Sequence, residues 1–324
     1  MGPKYEFTDK TMNYDGHLLH CIRRLSDGRI GGWIESEENL SQDGSCWVDN
    51  EAKVYGGAQV SGNATVHGDA IVSGESKIEG DADISWEAKV FGNARVYDKA
   101  KISWHAEVSG NAKVYGNAVV YGVVYSNAKI YDTAEVSGEA RIHGNAEVYG
   151  DAHVYENAKV YDDAKVYGKA RVYGAAEVYN NAVVRGDATI KDNAQVYENA
   201  EIYGDVRVYN EAEVKGNARV YGDTRLYNNA KVYDRAVIDG FYVSIYDNAQ
   251  IYGNAIVTNE VNIYDNVRVY DNAHICDNVE IHNNVKIYDD ADVYGNTKIN
   301  DNVQIHGNAK VANTELYGDD DITS

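Results

Sequence analysis

Two tripeptides of the sequence carry the side chains best suited to chemistry. Ser85-Trp86-Glu87 and Ser103-Trp104-His105 occupy positions of similar pattern along the chain. A histidine beside a carboxylate is a common pair for general acid-base catalysis, and exposed indoles are common contact surfaces for sugar rings and protein side chains. If the fold places these two segments next to one another, they form one candidate site: Ser85, Trp86, Glu87, Ser103, Trp104 and His105.

The repeat around these tripeptides predicts such a fold. From Val48 the chain cycles through a hexad in the order Val-Tyr-Gly-Asn-Ala-Lys, as in Val114-Tyr115-Gly116-Asn117-Ala118. Small, charged, branched and aromatic residues alternate within each hexad, which is the period of a strand with one buried face. The Gly-Asn or Gly-Asp pair supplies a corner, because these residues tolerate a positive φ. Three hexads then close one coil, and because Trp86 and Trp104 are three hexads apart, their side chains stack.

The sequence therefore predicts an all-β fold, a single-stranded three-sided parallel β-helix of about 14 coils. Residues 1–32 fall outside the repeat and are expected to form a small N-terminal β cap, because an open solenoid end exposes unpaired strand edges. Residues 33–318 are assigned to the β-helix and residues 319–324 to an acidic C-terminal tail. The one proline of the chain, Pro3, lies outside the repeat, as expected where every strand donates ladder hydrogen bonds.

The period slips twice along the repeat. Two residues are missing near Val120–Val124, and one is added near Asp239–Ile245. A solenoid can absorb such an irregularity at a corner without losing its neighbouring contacts, so a tolerated insertion or deletion is the simpler interpretation. The alternative is that a register slip marks the position of a neighbouring binding site. The deletion favours that alternative, because it falls at the corner of the two tripeptides, one coil above them.

Tyrosine dominates the outward position that follows the aliphatic residue, and it is expected to form columns of stacked rings. The other outward position carries mixed charge, so that neighbouring coils often oppose charges at strand spacing. Such side chains suit an exposed sheet, although a protein or carbohydrate partner that stacks on tyrosine is the alternative. Six histidines occupy outward positions and are interpreted as surface substitutions: His67, His143, His153, His274, His282 and His306.

Composition excludes several classes of function. A formal net charge of −21 argues against nucleic acid or an anionic membrane as the partner, because both require clustered Lys and Arg. Cys21, Cys46 and Cys276 are scattered and form no Cys/His cluster with zinc spacing, so no metal and no cofactor are predicted. The sequence has no recognisable signal peptide or apolar run of membrane-spanning length, so no membrane insertion is expected. The cytoplasm is the default location, with a virion or cell envelope as the alternative.

Over roughly Trp47 to Tyr317 the repeat resembles that of the hexapeptide-repeat acyltransferases, in which an aliphatic residue is followed four positions later by a small one. More narrowly, residues 31–42, followed by Gly44-Ser45-Cys46-Trp47-Val48, are similar to bacterial and phage proteins of the YdcK-like type. These proteins are named transferases for their fold and not for a demonstrated activity. The resemblance implies a left-handed β-helix. It also implies, for an acyltransferase, acetyl coenzyme A as donor, a histidine base and a trimer with the coenzyme along the coils.

Two functions follow from these features. The first is a non-catalytic rod that presents a binding surface to a protein or carbohydrate partner, for instance in a phage or cell-envelope assembly. The second is an acyltransferase that uses His105 as general base. The sequence departs from the acyltransferase plan, because no long loop leaves the repeat, no helical segment follows it and no face is apolar enough for a trimer seam. The first function is therefore favoured.

Overall fold

The computed structural model describes residues 2–323, in two compact units, Met1–Tyr155 and Glu156–Ser324. Within residues 2–323 the only helix is a single 3-10 turn, Glu37–Asn39, so the all-β prediction is confirmed. No helix in this range is long and apolar enough to cross a membrane.

Most strands are very short and are separated by corners. The first unit begins with three longer strands, β1 (Tyr5–Tyr14), β2 (His17–Arg24) and β3 (Ile30–Ile34). Its short strands, β4 to β22, are Trp47–Val48, Lys53–Val54, Gln59–Val60, Thr65–Val66, Ile71–Val72, Lys77–Ile78, Asp83–Ile84, Lys89–Val90, Arg95–Val96, Lys101–Ile102, Glu107–Val108, Lys113–Val114, Val119–Val120, Val123–Val124, Lys129–Ile130, Glu135–Val136, Arg141–Ile142, Glu147–Val148 and His153–Val154.

The second unit repeats the pattern with two longer strands in its middle. Its strands, β23 to β48, are Lys159–Val160, Lys165–Val166, Arg171–Val172, Glu177–Val178, Val183–Val184, Thr189–Ile190, Gln195–Val196, Glu201–Ile202, Arg207–Val208, Glu213–Val214, Arg219–Leu226, Lys231–Val232, Val237–Ile245, Gln250–Ile251, Ile256–Thr258, Val261–Ile263, Arg268–Val269, His274–Ile275, Val279–Ile281, Lys286–Ile287, Asp292–Tyr294, Thr297–Ile299, Gln304–Ile305, Lys310–Ala312, Glu315–Leu316 and Asp321–Ile322.

Strand pairing confirms the three-sided coil, with a spacing of about 18 residues between equivalent positions. In the first unit β10 pairs in parallel with β13, β11 with β14 and β12 with β15, which defines three ladders and therefore three faces. Equivalent residues face each other, as Ile84 faces Ile102. In the second unit β24 pairs with β27, β25 with β28 and β26 with β29. The stacked Val, Ile and Ala side chains are fully buried in both units, as predicted.

The ladders extend beyond the regular hexads, so the solenoid has about 16 turns, more than the sequence analysis predicted. At one end β3 already pairs in parallel with β5, and it spans the boundary predicted at residue 32. At the other end β48, Asp321–Ile322, pairs with β45. The segment predicted as an acidic tail therefore contributes a strand to the ladder.

The first unit begins with an antiparallel sheet in the segment predicted as a cap. β1 pairs with β2, and β2 pairs with β3, which then joins the parallel ladder. Leu19 and Ile22 of β2 are fully buried. Gly31 lies so close to the first coil that a Cβ atom there would meet Trp47 and the Val48 carbonyl oxygen at 2.6 Å. The cap sheet therefore packs directly on the solenoid core.

Both register slips are absorbed within one coil. In the first unit only Tyr121 and Gly122 separate β16 from β17, while the pairings of both strands with the preceding coil are kept. In the second unit β33 and β35 run straight through the corner, and the added residue, Tyr242, forms a bulge with a φ of 65°. The simpler interpretation, a tolerated irregularity, accounts for the pairing at both places.

The predicted tyrosine columns are confirmed. In the first unit the Tyr97 and Tyr115 rings stack with centroids 4.8 Å apart and planes 2° from parallel. In the second unit His282 continues a column on Tyr264 at 4.9 Å, as expected for a histidine in an outward tyrosine position. Opposed charges also meet, since Lys129 Nζ lies 2.8 Å from Glu147 Oε1 in the first unit.

The tyrosine columns predict a loss of stability at alkaline pH. Burial in the stack, followed by the charge of neighbouring rings, raises the pKa values of Tyr179, Tyr227 and Tyr270 to about 12. An unfolded tyrosine ionises near pH 10, so these residues contribute stability that is complete below about pH 10 and lost as the pH rises to about 12. Denaturant unfolding measured across this range should show the decline.

A tyrosinate titration by ultraviolet absorbance supplies the control for this prediction. The native chain should ionise at higher pH than the same chain in denaturant, because the folded columns disfavour tyrosinate. Coincident titration curves would contradict the prediction.

Candidate functional site

The Trp86 and Trp104 backbones have an unusual conformation. Their φ angles are 59° and 61°, in the left-handed region that Gly, Asn and Asp occupy at most corners of the solenoid. Bulky residues rarely adopt this conformation, which costs about 1 kcal/mol or more at each position. The solenoid corner imposes it here because the strands on either side are held in the ladder. Two tryptophans are thus kept at positions where glycine would be more favourable.

The two indoles form an exposed parallel stack. Their ring centroids are 5.0 Å apart and their planes differ by 2°, which confirms the stacking expected for residues one coil apart. Trp86 is 58% exposed and Trp104 is 54% exposed, on a chain whose outward positions carry mainly Tyr and charged side chains. The pair therefore presents a large aromatic surface to solvent.

The indole column is only two rings long. Gly68 occupies the corner position below Trp86, where the Asp69 backbone nitrogen donates a 2.8 Å hydrogen bond to the Trp86 carbonyl oxygen. A Cβ atom on Gly68 would lie 2.9 Å from the Trp86 backbone nitrogen. Because glycine has no side chain, Gly68 adds no ring to the stack below Trp86. Above Trp104 the corner is the shortened one, with only Tyr121 and Gly122. Within residues 2–323 neither indole stacks on a third ring.

Ser85 and Ser103 lie inside the corner. They are 5% and 8% exposed, and the Ser85 hydroxyl donates a 3.0 Å hydrogen bond to Ser103 Oγ. The sequence analysis assigned both to the binding surface, whereas the structure keeps them from solvent and pairs them with each other. The backbone of the corner is also closed by hydrogen bonds, since the Ser85 and Ser103 carbonyl oxygens accept from the amides of Ala88 and Ala106 at 3.3 and 3.2 Å.

His105 and Glu87 form an exposed pair next to the indoles. His105 Nδ1 lies 3.2 Å from Glu87 Oε2, and the side chains are 76% and 65% exposed. They line one side of a shallow depression of about 340 Å³ in the first unit. The remaining lining residues come from the cap hairpin and from two outward columns: Tyr14, Lys53, Asp69, Ile71, Lys89 and Glu107.

One family matches two parts of this chain. The YdcK Beta solenoid repeat matches residues 58–74 in the first unit and residues 249–261 in the second, and both segments lie in the parallel ladders described above. In these segments, and in its parallel β-solenoid architecture, the chain is similar to the YdcK-like β-solenoid repeat proteins. No curated protein matches it. The matched segments include Gly68 and Asp69 but neither tryptophan, so the match concerns the repeat and not the indole pair.

In this YdcK-like protein the sequence analysis missed most of the residues that line the depression. Lys53, Lys89 and Glu107 belong to one column of equivalent positions in successive coils, so the register could have placed them beside His105. Tyr14 could not be placed in that way, because the β1-β2 hairpin lies outside the repeat. The Tyr14 ring lies below the Lys53 ammonium group, with Lys53 Nζ 5.1 Å from the ring centroid.

The chemistry open to the indole corner of the YdcK-like protein is mainly that of binding. A general base for acyl transfer works best where water is excluded, whereas His105 and Glu87 are both largely solvated. The indole pair combines apolar ring faces with carboxylates at the same corner, Asp69 and Glu87. Such a combination suits a ligand with one apolar face and hydrogen-bonding groups at its rim.

A second group of polar side chains lies in the second unit of the YdcK-like protein. His274, Cys276 and Asp292 bring their nitrogen, sulfur and oxygen atoms within 4.8 Å of one another. Burial, followed by the charges of Asp277 and Asp292, raises the pKa of the Cys276 thiol to about 11. The sequence analysis missed this group because it considered short spacings only, while His274 and Asp292 are one full coil apart.

Proposed function

We propose that this YdcK-like protein is a non-catalytic β-solenoid scaffold that binds a carbohydrate at the Trp86 and Trp104 corner. The observation that carries the proposal is the parallel, exposed stack of two indoles at corner positions where the backbone disfavours tryptophan. Unfavourable conformations that persist in a native structure tend to cluster at functional sites. Exposed indoles would otherwise be a cost in solubility on an outward surface.

The surroundings of the indoles favour a sugar over a protein partner. A sugar ring offers one apolar face to an indole and hydroxyl groups to Asp69, Glu87 and His105. A stable protein interface buries roughly 800 Å² on each partner around an apolar centre. The indole corner is instead surrounded by the charged side chains of Glu87, Lys89 and Glu107. The carboxylates and the net charge of −21 favour a neutral sugar or an amino sugar. Polymers of this kind are available to a scaffold in a phage or cell-envelope assembly.

Trp104→Ala is expected to weaken binding of a neutral or amino-sugar oligosaccharide by about 2 kcal/mol or more, the range found for aromatic hot spots. A glycan array identifies the ligand, and titration calorimetry then measures the affinity. Trp104→Gly should weaken binding to the same extent. It should leave stability unchanged or raise it, because glycine adopts a positive φ without strain.

Phe91→Ala is the matched control. Phe91 is another exposed aromatic residue of the first unit, 39% exposed, that lies outside the indole corner. Its loss should leave sugar affinity unchanged. A ligand that binds the Trp104 variants as tightly as the parent chain would contradict the proposal.

The second candidate function, acyl transfer, is favoured by the 3.2 Å contact between His105 and Glu87. His105→Ala separates the two functions, because it should abolish turnover of acetyl coenzyme A by an acyltransferase and change the affinity of a sugar only modestly. Saturable binding of acetyl coenzyme A in calorimetry, together with turnover that requires His105, would replace the scaffold proposal with the enzyme.

A further inference from the structure

His274, Cys276 and Asp292 lie together on one outward face of the second unit. β40 carries His274 and pairs with β43, so that His274 faces Asp292, with Nδ1 3.1 Å from Oδ1. Cys276 is the next residue but one after His274, which places both side chains on the same side of the extended chain. The three side chains are partly buried, and their candidate ligand atoms lie within 4.8 Å of one another.

These three donors are a set that transition metals bind. Imidazole nitrogen, thiolate sulfur and carboxylate oxygen all occur in tetrahedral zinc sites, with bonds of about 2.0–2.3 Å. Ligand atoms around such an ion are therefore roughly 3.3–3.8 Å apart. The observed separations reach this range with side-chain adjustments of about 1 Å, and the three protein ligands leave a fourth position for water.

The backbone already holds the donors in register. The amide groups of His274 and Cys276 donate 2.9 Å hydrogen bonds to the carbonyl oxygens of Ala291 and Val293, which flank Asp292. Strands joined in this way cannot slide past each other without breaking the ladder. The ordering of the backbone is thus complete before an ion arrives, which lowers the entropic cost of binding.

The charge around the group favours a cation. Asp277 Oδ2 lies 3.8 Å from Cys276 Sγ and adds a second carboxylate beside the thiol. Lys310 faces Asp292 from the next strand and supplies a positive charge that partly offsets these carboxylates. A divalent ion between His274, Cys276 and Asp292 would offset the charge of both carboxylates, and its binding would release the Cys276 thiol proton to solvent as the metal thiolate forms.

We propose that His274, Cys276 and Asp292 bind one divalent transition-metal ion, with Zn²⁺ as the best match to the nitrogen, sulfur and oxygen donors. The proposal is independent of the carbohydrate site, which lies in the other unit. The mixed donor set distinguishes the site from a carboxylate-only site for Ca²⁺ or Mg²⁺.

Titration of the full chain with Co²⁺ and Zn²⁺ tests the proposal. Co²⁺ should bind at about one equivalent and give a thiolate-to-cobalt charge-transfer band, together with the strong visible absorption of a tetrahedral site. Zn²⁺ should displace Co²⁺ and remove both signals. Competition with a chromogenic chelator then gives the Zn²⁺ affinity.

Cys276→Ser should abolish the charge-transfer band and weaken Zn²⁺ binding by roughly tenfold or more, since even the loss of an outer-shell partner commonly costs that much. Asp292→Asn is a second variant that keeps the size of the side chain, and it should weaken Zn²⁺ to a similar degree. Circular dichroism verifies that both variants retain the fold.

His67→Ala is the matched control. His67 Nε2 lies 2.9 Å from Asp83 Oδ1, so this pair has the histidine and the carboxylate but not the thiol. The variant should bind Zn²⁺ and Co²⁺ as the parent does. The proposal is overturned if the parent chain gives no charge-transfer band, or if Zn²⁺ binds Cys276→Ser and Asp292→Asn as tightly as the parent.

Discussion

Val166→Asp is expected to lower the free energy of unfolding by several kcal/mol, whereas Tyr167→Ser should cost about 1 kcal/mol or less. Val166 is fully buried and faces Val184 in the next coil, so an aspartate there would place a carboxylate in an apolar core. Tyr167 points outward and is only partly buried. Its amide nitrogen donates to the Val184 carbonyl oxygen at 3.0 Å, a hydrogen bond that serine keeps.

Denaturant unfolding of the two variants and the parent chain measures this difference. Val166→Ala is a useful third variant, because it removes methyl groups without adding charge and should cost less than Val166→Asp. Hydrogen exchange should place the loss in the coils next to Val166, since a solenoid is stabilised mainly by neighbouring repeats. Equal losses from Val166→Asp and Tyr167→Ser would mean that the inward and outward assignments are wrong.

Asn39→Ala is expected to cost about 3 kcal/mol or more, because it removes four hydrogen bonds to backbone groups that are buried or partly buried. Asn39 is 1% exposed, and its amide group is fully used. The Asn39 Oδ1 atom accepts hydrogen bonds from the Glu35 and Ser36 amides at 3.1 and 2.8 Å. Its Nδ2 atom donates to the carbonyl oxygens of Gly56 and Ala58 at 3.0 and 2.9 Å. One side chain thus ties the segment after β3 to the next coil.

Asn63→Ala is the matched control for Asn39. Asn63 is exposed, and its amide donates to Asp81 Oδ1 at 2.9 Å in an outward ladder. Water replaces such a bond, so the expected cost is within about 0.5 kcal/mol. Hydrogen exchange of the first coils and denaturant unfolding measure both variants. A loss for Asn39→Ala no larger than that for Asn63→Ala would show that the buried amide does not stabilise this end of the solenoid.

The sequence by itself determined the repeat and everything that follows from its period. Each residue of the ladder has its closest neighbours in the coils above and below, at the same position of the repeat, so position in the hexad decides whether a side chain is buried or exposed. This rule placed Val166 inside, Tyr167 outside and Trp86 beside Trp104. It also located both register slips, because an added or missing residue interrupts a strict period.

Only the tertiary structure decided how the sites are completed. Ser85 and Ser103 belong to the candidate site in sequence, but the path of the corner buries them. Tyr14 lies in the cap and Asn39 precedes the first regular hexad at Val48, so no period relates them to the coils that they contact. The approach of Cys276 to Asp292 depends on side-chain direction across two strands. A period specifies which backbones are neighbours, whereas contacts across a corner, between cap and coil, or between side chains depend on three-dimensional packing.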